Sequence, residues 1–551
     1  VSAVPELLRV PARLLSAVWS RPWLGFAAVF AWALWQRWQM PWLPLATADS
    51  WGFLGPALHE LAGEGFRQTH GRSVAYPLFL LGVLRVTESF PAIAVVQHVF
   101  GLLSGVAWIW VFSLWVAWLP ASLRSRPYVW WCGAFAMGLY LLGAWTVIHE
   151  TLLRPESIFP LFAFLQVGCI LDFVRLRWGR PSGGRMVISS ALAFLFASIC
   201  ISLKPSWGFA AVVPAVVLVC AVAARGAASV RLASFVALAC GLISVGLWQK
   251  GVPQAAGWIA DSAAKAFLPA TLFTVHADLI SQTMHEDAAR GLLGTEENAF
   301  LAHLDQRLAE SRMIRPRRFK MLGHDPDYLM YHSDALTALP GDADATADRS
   351  AEYLLSAYFS AIRGQPIGTL RKIAHQVFRA HRNAEISLHC ASSPWRTHFE
   401  RACEFTKFHR PPDLPVQLAT GWRDLFDECN ALALAEPQQR NFLPPLPVWF
   451  IRGFLSVLTG LLVVAGVCVF PLGPKLLFSR ANLLPAARVF AIFVFTHLGM
   501  VFTVALVHSF DIVRYLSLLS PTQSLLVGTG SVLLVALASA PRTPRAVCEI
   551  S

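Results

Sequence analysis

The residues of this 551-residue chain that can do acid, base or phosphate chemistry gather in a few short polar stretches between long apolar runs. Asp49 stands in TADSWGF (47–53), at the start of GFLGPALHELAGEGF, which reads as a short amphipathic helix. A carboxylate there can take a proton from an incoming hydroxyl. An Asp at a helix start can also cap it, and the two roles compete for the same oxygens. His70 and Arg72 lie in HGRSVAYPLFLL (70–81), where a guanidinium can grip a phosphate through two donors or rest among lipid headgroups. HETLLRPES (149–157) supplies Glu150, Arg154 and Glu156. Glu150 and Arg154 are four apart and can pair, Pro155 suits a first helical turn, and Glu156 complements a helix dipole. Lys204 in ISLKPSW is either a phosphate ligand or an anchor. HSFDIVRYLSLLSP (508–521) brings His508, Asp511, Arg514 and Tyr515 together. Arg514 can neutralise a leaving phosphate with Asp511 orienting it, or the two can simply close a hairpin.

The elements that must position these groups are membrane helices. The composition is 56% hydrophobic and 14% charged, with 21 Trp and 37 Phe, so the bilayer is the solvent of most of the chain. Apolar runs near the length needed to cross about 30 Å of hydrocarbon predict ten spans. They are 22–43, 91–119, 128–148, 153–173, 186–204, 206–224, 232–249, 446–470, 489–508 and 515–540. The apolar stretch 76–86 is too short and reads as an interfacial helix. Three parts follow: a membrane module 1–249 whose first outer loop is 44–90, a soluble domain 250–445, and a second membrane module 446–551.

Charge parity orients the array. With 76–86 on the surface, alternate loops hold Arg9, Arg13, Arg21, Arg124, Arg126, Arg175, Arg177, Arg180, Arg185, Arg225, Arg231, Lys475, Arg480, Arg488, Arg542 and Arg545, sixteen cations. The opposite short loops hold six, Arg67, Arg72, Arg85, Arg154, Lys204 and Arg514. The positive-inside rule then predicts cytoplasmic termini, an extracytoplasmic 250–445 domain, and all the chemistry above on the outer face. The formal charge of +12 therefore reports topology, and nucleic acid is set aside as a partner.

Within the outer domain, FLPATLFTVHADLI (267–280) reads as amphipathic and membrane-lying, and 351–383 and 417–435 as helical. LGHDPDYLMYHSD (322–334) offers either a metal site or ordinary turn chemistry. No Walker loop, dinucleotide fingerprint, HExxH or GxSxG is present.

Taken together, ADSWGFLGPALHELAGEGF with GRSVAYPLFLL, HETLLRPES and HSFDIVRYLSLLSP resemble the GT-C glycosyltransferases that use polyprenyl-phosphate sugars, such as protein O-mannosyltransferases and the lipid A aminoarabinose transferase. The resemblance implies an all-α polytopic bundle with interfacial helices in the first outer loop and a mainly helical periplasmic domain before the last three crossings, in a bacterial inner membrane. It implies an inverting glycosyltransferase of the cell envelope, with a polyprenyl-phosphate-linked sugar as donor and a glycan, lipid or protein as acceptor. It carries the base onto Asp49 and donor binding onto Arg72, Lys204 and Arg514, with His70, Glu150, Arg154, Asp511 and Tyr515 beside them. Ser50 stands where the protein mannosyltransferases have a second acid. Metal use varies across that superfamily, so no cofactor is assigned and a divalent metal stays open. A transporter or flippase of a lipid-linked or anionic solute is the alternative, and it predicts inverted halves and midplane charges.

Overall fold

The computed structural model describes residues 18–47, 49–69, 72–179, 181–260, 265–314, 319–336, 339–340, 347–382, 404, 409, 411–434, 458–460 and 482–539. From the amino end run α1 (Trp23–Trp38), the short α2 (Trp51–Leu61) and α3 (Ala75–Thr87), α4 (Phe90–Val116), α5 (Pro127–Leu141), α6 (Ala144–Thr151), α7 (Phe159–Trp178), α8 (Gly183–Leu203), α9 (Val213–Ala223) and α10 (Ala228–Gly246). The middle of the chain forms α11 (Phe267–Val275), α12 (Ala277–Ala289), α13 (Thr295–Ile314), α14 (Pro326–Tyr331), α15 (Ala347–Gly364), α16 (Pro366–Arg382) and α17 (Val416–Leu434). The chain then returns to apolar helices with α18 (Leu484–Val507), the one-turn α19 (Val513–Ser517) and α20 (Ser520–Ser539).

Apolar runs become helices because in hydrocarbon each segment must satisfy its own backbone polar groups. Among the described residues α4, α7, α8, α18, α20 and the run Ala228–Ala255 that begins with α10 are long and apolar enough to cross a membrane. The pair α5 and α6, bent by 45°, makes a seventh span when counted as one. The chain is a helical membrane protein. Of the other expected crossings, 22–43 yields the 16-residue α1, and 206–224 yields 3-10 turns followed by the 11-residue α9. Prolines at 41, 44, 205 and 214 remove backbone donors and interrupt these runs. The expected span 446–470 lies outside the described residues except for 458–460. The expected span 153–173 begins later, at Phe159, because 155–157 forms a 3-10 turn.

Two apolar clusters divide the bundle along its length. One packs Trp108, Trp115, Phe173, Phe194, Phe493 and Leu526 in one half. The other joins Leu45, Phe66, Tyr76, Phe159, Trp207 and Phe510 at the opposite end, where the loops bearing Asp49, Arg154, Lys204 and Arg514 emerge. A third core, around Phe273, Phe300, Leu304 and Leu354, belongs to α11–α15. The membrane-lying role expected for 267–280 is corrected here, since Pro269–Val275 is buried throughout against this core. Apolar spacing is the same whether a helix meets lipid or protein, which is why the sequence misplaces it. The 322–334 stretch resolves as turn chemistry: Asp325 caps α14, accepting from the N–H groups of Asp327 and Tyr328 at 3.0 and 3.2 Å.

Candidate functional site

The first polar loop is fixed to the α6–α7 loop by backbone pairing. The Leu45 N–H donates to Thr151 O at 2.7 Å, and the Leu153 N–H donates to Leu45 O at 2.9 Å. Ser50 Oγ accepts from the Thr47 N–H at 2.8 Å and donates to Leu153 O at 3.2 Å. Ser50 occupies the N-cap position of α2. Asp49, one residue earlier, turns its carboxylate to three guanidiniums: Arg72 at 2.8 Å on Oδ1, Arg514 at 2.6 Å on Oδ2, and Arg154 at 3.1 Å on Oδ2.

Each guanidinium is held from behind. Arg72 lies over the rings of Phe53 and Phe267, at 5.0 and 5.6 Å from their centroids. Arg154 donates through Nε to Thr47 Oγ1 at 2.7 Å and lies 3.9 Å from Glu156. Arg514 lies over the Tyr515 ring at 5.2 Å, and that ring packs on His508. Deeper in, Glu156 is 1% exposed and holds Lys204 Nζ at 2.5 Å. The cluster therefore runs from Asp49, 28% exposed, down to a sealed Glu156. Among the described residues four cations, Arg72, Arg154, Lys204 and Arg514, face two carboxylates, Asp49 and Glu156, an excess of two positive charges.

The titration behaviour follows from this excess. Burial acts to raise the Asp49 carboxyl, yet Arg514, Arg154 and Arg72 outweigh it and hold the group well below the usual carboxylate range. Glu156 is held down in the same way, by Lys204 first and then Arg154, against its burial. Burial outweighs Glu156 at Lys204, whose ammonium falls to about 8. His508 is pushed down to about 3 by burial, with Arg514 and Lys204 adding to the effect, and is neutral. Between Glu156 and Glu150 a cavity of about 20 Å³, the size of one water, is lined by Tyr140, His149, Phe159 and Ser517 as well as the two acids.

Of the candidate residues read from the sequence, Asp49, Arg72, Arg154, Lys204, Arg514 and Tyr515 share this site. Glu150 is placed elsewhere, and the expected pairing with Arg154 does not form. Its carboxylate takes Arg37 in two bonds of 2.5 and 2.7 Å and His98 at 2.9 Å, inside the bundle. Asp511 likewise does not orient Arg514. It pairs with Arg379 at 3.2 Å and accepts from the Met321 N–H at 3.2 Å, fastening middle-domain segments to the α18–α20 connection. His70 lies outside the described residues. Residues that the sequence did not single out are Thr47, Phe53 and Phe267 at the site, and Arg37 and His98 behind it. Thr47 and Phe53 lie within the Asp49 motif itself, whereas nothing local distinguishes Arg37 from an arginine at a helix end.

Among the described residues no three His, Cys, Asp or Glu side chains are grouped as metal ligands. No protein family, no curated protein and no solved structure matches the chain.

Proposed function

We propose that this chain is an inverting glycosyltransferase that moves a sugar from a polyprenyl-phosphate donor to an acceptor hydroxyl at the extracytoplasmic mouth of a ten-span bundle. In this reading both termini are cytoplasmic, 1–249 and 446–551 form the membrane modules, and 250–445 is the outer domain. The observation that carries it is the excess of two positive charges around Asp49 at the end of a membrane bundle. The partly exposed pairs of Asp49 contribute roughly 0–1 kcal/mol each, and cations in excess of carboxylates repel one another, so this crowding is poorly explained as a stability device. They suit a phosphate monoester dianion, the group released when the sugar leaves. Cations aimed at such a leaving group lower the barrier, on the order of 3 kcal/mol for one donor in comparable sites.

The acceptor hydroxyl gives its proton to Asp49 as its oxygen bonds to the anomeric carbon. The carbon–oxygen bond to phosphate breaks with its electron pair going to the phosphate oxygen, and configuration inverts. With three guanidiniums on it, Asp49 is a weak base. A donor phosphate that draws Arg72 and Arg514 away raises the basicity of Asp49 at the moment the base is needed.

A transporter would draw support from the intramembrane Arg37, Glu150 and His98 group. Its carboxylate, however, is occupied by both partners and sealed at 1% exposure, which suits a structural pin better than a carrier site. Single-turnover sugar transfer from a polyprenyl-phosphate donor in detergent tests the proposal. Product formed without any gradient is expected, and absence of product across polyprenyl-phosphate hexoses and pentoses sinks it.

A further inference from the structure

Helix α16 (Pro366–Arg382) is built inside out for a helix in water. Its face toward the protein carries polar side chains next to Val377 and Ala380: Thr369, Lys372 and Gln376 are buried, with Gln376 fully so. Lys372 Nζ donates to Val275 O, and Gln376 Oε1 accepts from the Phe510 N–H at 2.7 Å. Its outward face is apolar: Ile367 is 77% exposed, Leu370 66% and Phe378 59%, with exposed Ala374 between them. Positions 367, 370, 374 and 378 fall on one stripe at 3.6 residues per turn. A second exposed stripe, Arg371, His375 and Arg382, borders the first on one side, and Arg382 lies over the Phe378 ring at 5.9 Å. In water this arrangement both exposes large apolar side chains and hides polar ones, against the usual sorting.

The position of α16 explains the reversal. Arg379 Nε donates to Phe510 O at 3.1 Å, in the connection at the mouth of the bundle. Two residues on, His381 Nε2 lies 3.3 Å from His497 Nε2 of α18. His497 is ten residues before the end of that span at Val507, about 15 Å down its axis at 1.5 Å per residue. The carboxyl end of α16 thus runs from the mouth onto the flank of a membrane helix, where its outward face meets acyl chains.

We infer that α16 is an interfacial membrane helix, seated with its Ile367, Leu370, Ala374 and Phe378 stripe in the acyl chains and its Arg371 and His375 flank against anionic lipid headgroups. Helices of this kind sink about 5–10 Å into the boundary and gain from basic residues bordering the apolar face. The stretch that reads as part of a soluble domain therefore anchors that domain to the bilayer beside the Asp49 cluster. The inference rests on the membrane bundle alone and stands whether or not the chain transfers a sugar.

The test places an environment-sensitive fluorescent amino acid at 370 or 378 of the full chain, reconstituted in nanodiscs with lipids brominated at defined acyl depths. Both positions are exposed, so neither substitution disturbs a core. Loss of emission at both, strongest with bromines near the carbonyls, is expected, while the same probe at exposed Ala299 of α13 keeps its emission. Replacing Arg371 by Glu should reduce the quenching in discs containing phosphatidylglycerol and leave it unchanged in zwitterionic discs. Quenching by aqueous iodide in place of bromolipid, or photo-cross-linking of position 370 to residues 446–470 of the chain itself, would overturn the inference.

Discussion

Two ionic clusters built from the same kinds of residue stand near one end of this bundle, and they differ in what each leaves unsatisfied. At Glu150 every charge has its partner: Arg37 Nε and Nη2 close on the carboxylate, His98 adds a third contact, and Arg37 Nη1 donates to Ala33 O at 3.1 Å. The same arginine reaches Leu141 O at 3.4 Å, one of the carbonyls freed where α5 breaks into α6. That group pins the bend and so sets where the α6–α7 loop begins. At Asp49 the cations outnumber the carboxylates and the side chains remain partly open to the surroundings. A closed cluster holds shape, whereas an open one with excess charge is prepared for an anion.

The sharpest way to break this contrast is at Asp49. Asp49→Asn should lower sugar transfer by roughly 100- to 10,000-fold, the usual range for a general base, and, since three guanidiniums lose their carboxylate, should lower the thermal unfolding midpoint as well, though less than the loss of Glu150 does. Transfer at the parent rate would remove Asp49 as the base. The opposite pattern belongs to Glu150. Glu150→Ala leaves the Arg37 charge buried and alone, and should destabilise the detergent-solubilised protein by about 3–5 kcal/mol. A Glu150→Ala protein that melts with the parent would show that the cluster is not a pin.

Smaller effects should refine the picture. Arg514→Ala should weaken donor-phosphate binding by about 3 kcal/mol, and unchanged affinity would return this residue to a purely structural role. Gly101 admits Glu150 by lacking a side chain, since a Cβ there would overlap the carboxylate. Gly101→Ala should therefore cost about 1–3 kcal/mol of stability with no change in donor affinity. Lys204 gives a pH signature. Its ammonium is present below about pH 8 and lost above it, so donor affinity should fall as pH rises through that value. In Lys204→Arg, whose guanidinium stays charged, that inflection should vanish. An identical pH profile in the two proteins would exclude Lys204 from the phosphate site.

The sequence made the helical membrane class legible, because burying backbone in lipid leaves few alternatives to long apolar helices. It also marked TADSWGF, RPES, SLKPSW and HSFDIVRY as polar stretches worth watching, since charges bordering hydrocarbon need a reason. Partner choice was beyond it. Glu150 and Glu156 sit six residues apart in one motif, yet one faces Arg37 in the interior and the other faces Lys204 at the mouth. That outcome depends on the bend at α5 and α6 and on the pairing of Leu45 with Thr151 and Leu153, both long-range events. The same holds for 267–275 and α16. Periodicity reports that a helix has an apolar face, but what lies against that face, protein or lipid, is decided only when the rest of the chain has packed. The chain's own order of residues thus fixes which segments leave water, while the assembled bundle decides which charges meet, because Coulombic partners are chosen by distance in space and not along the backbone.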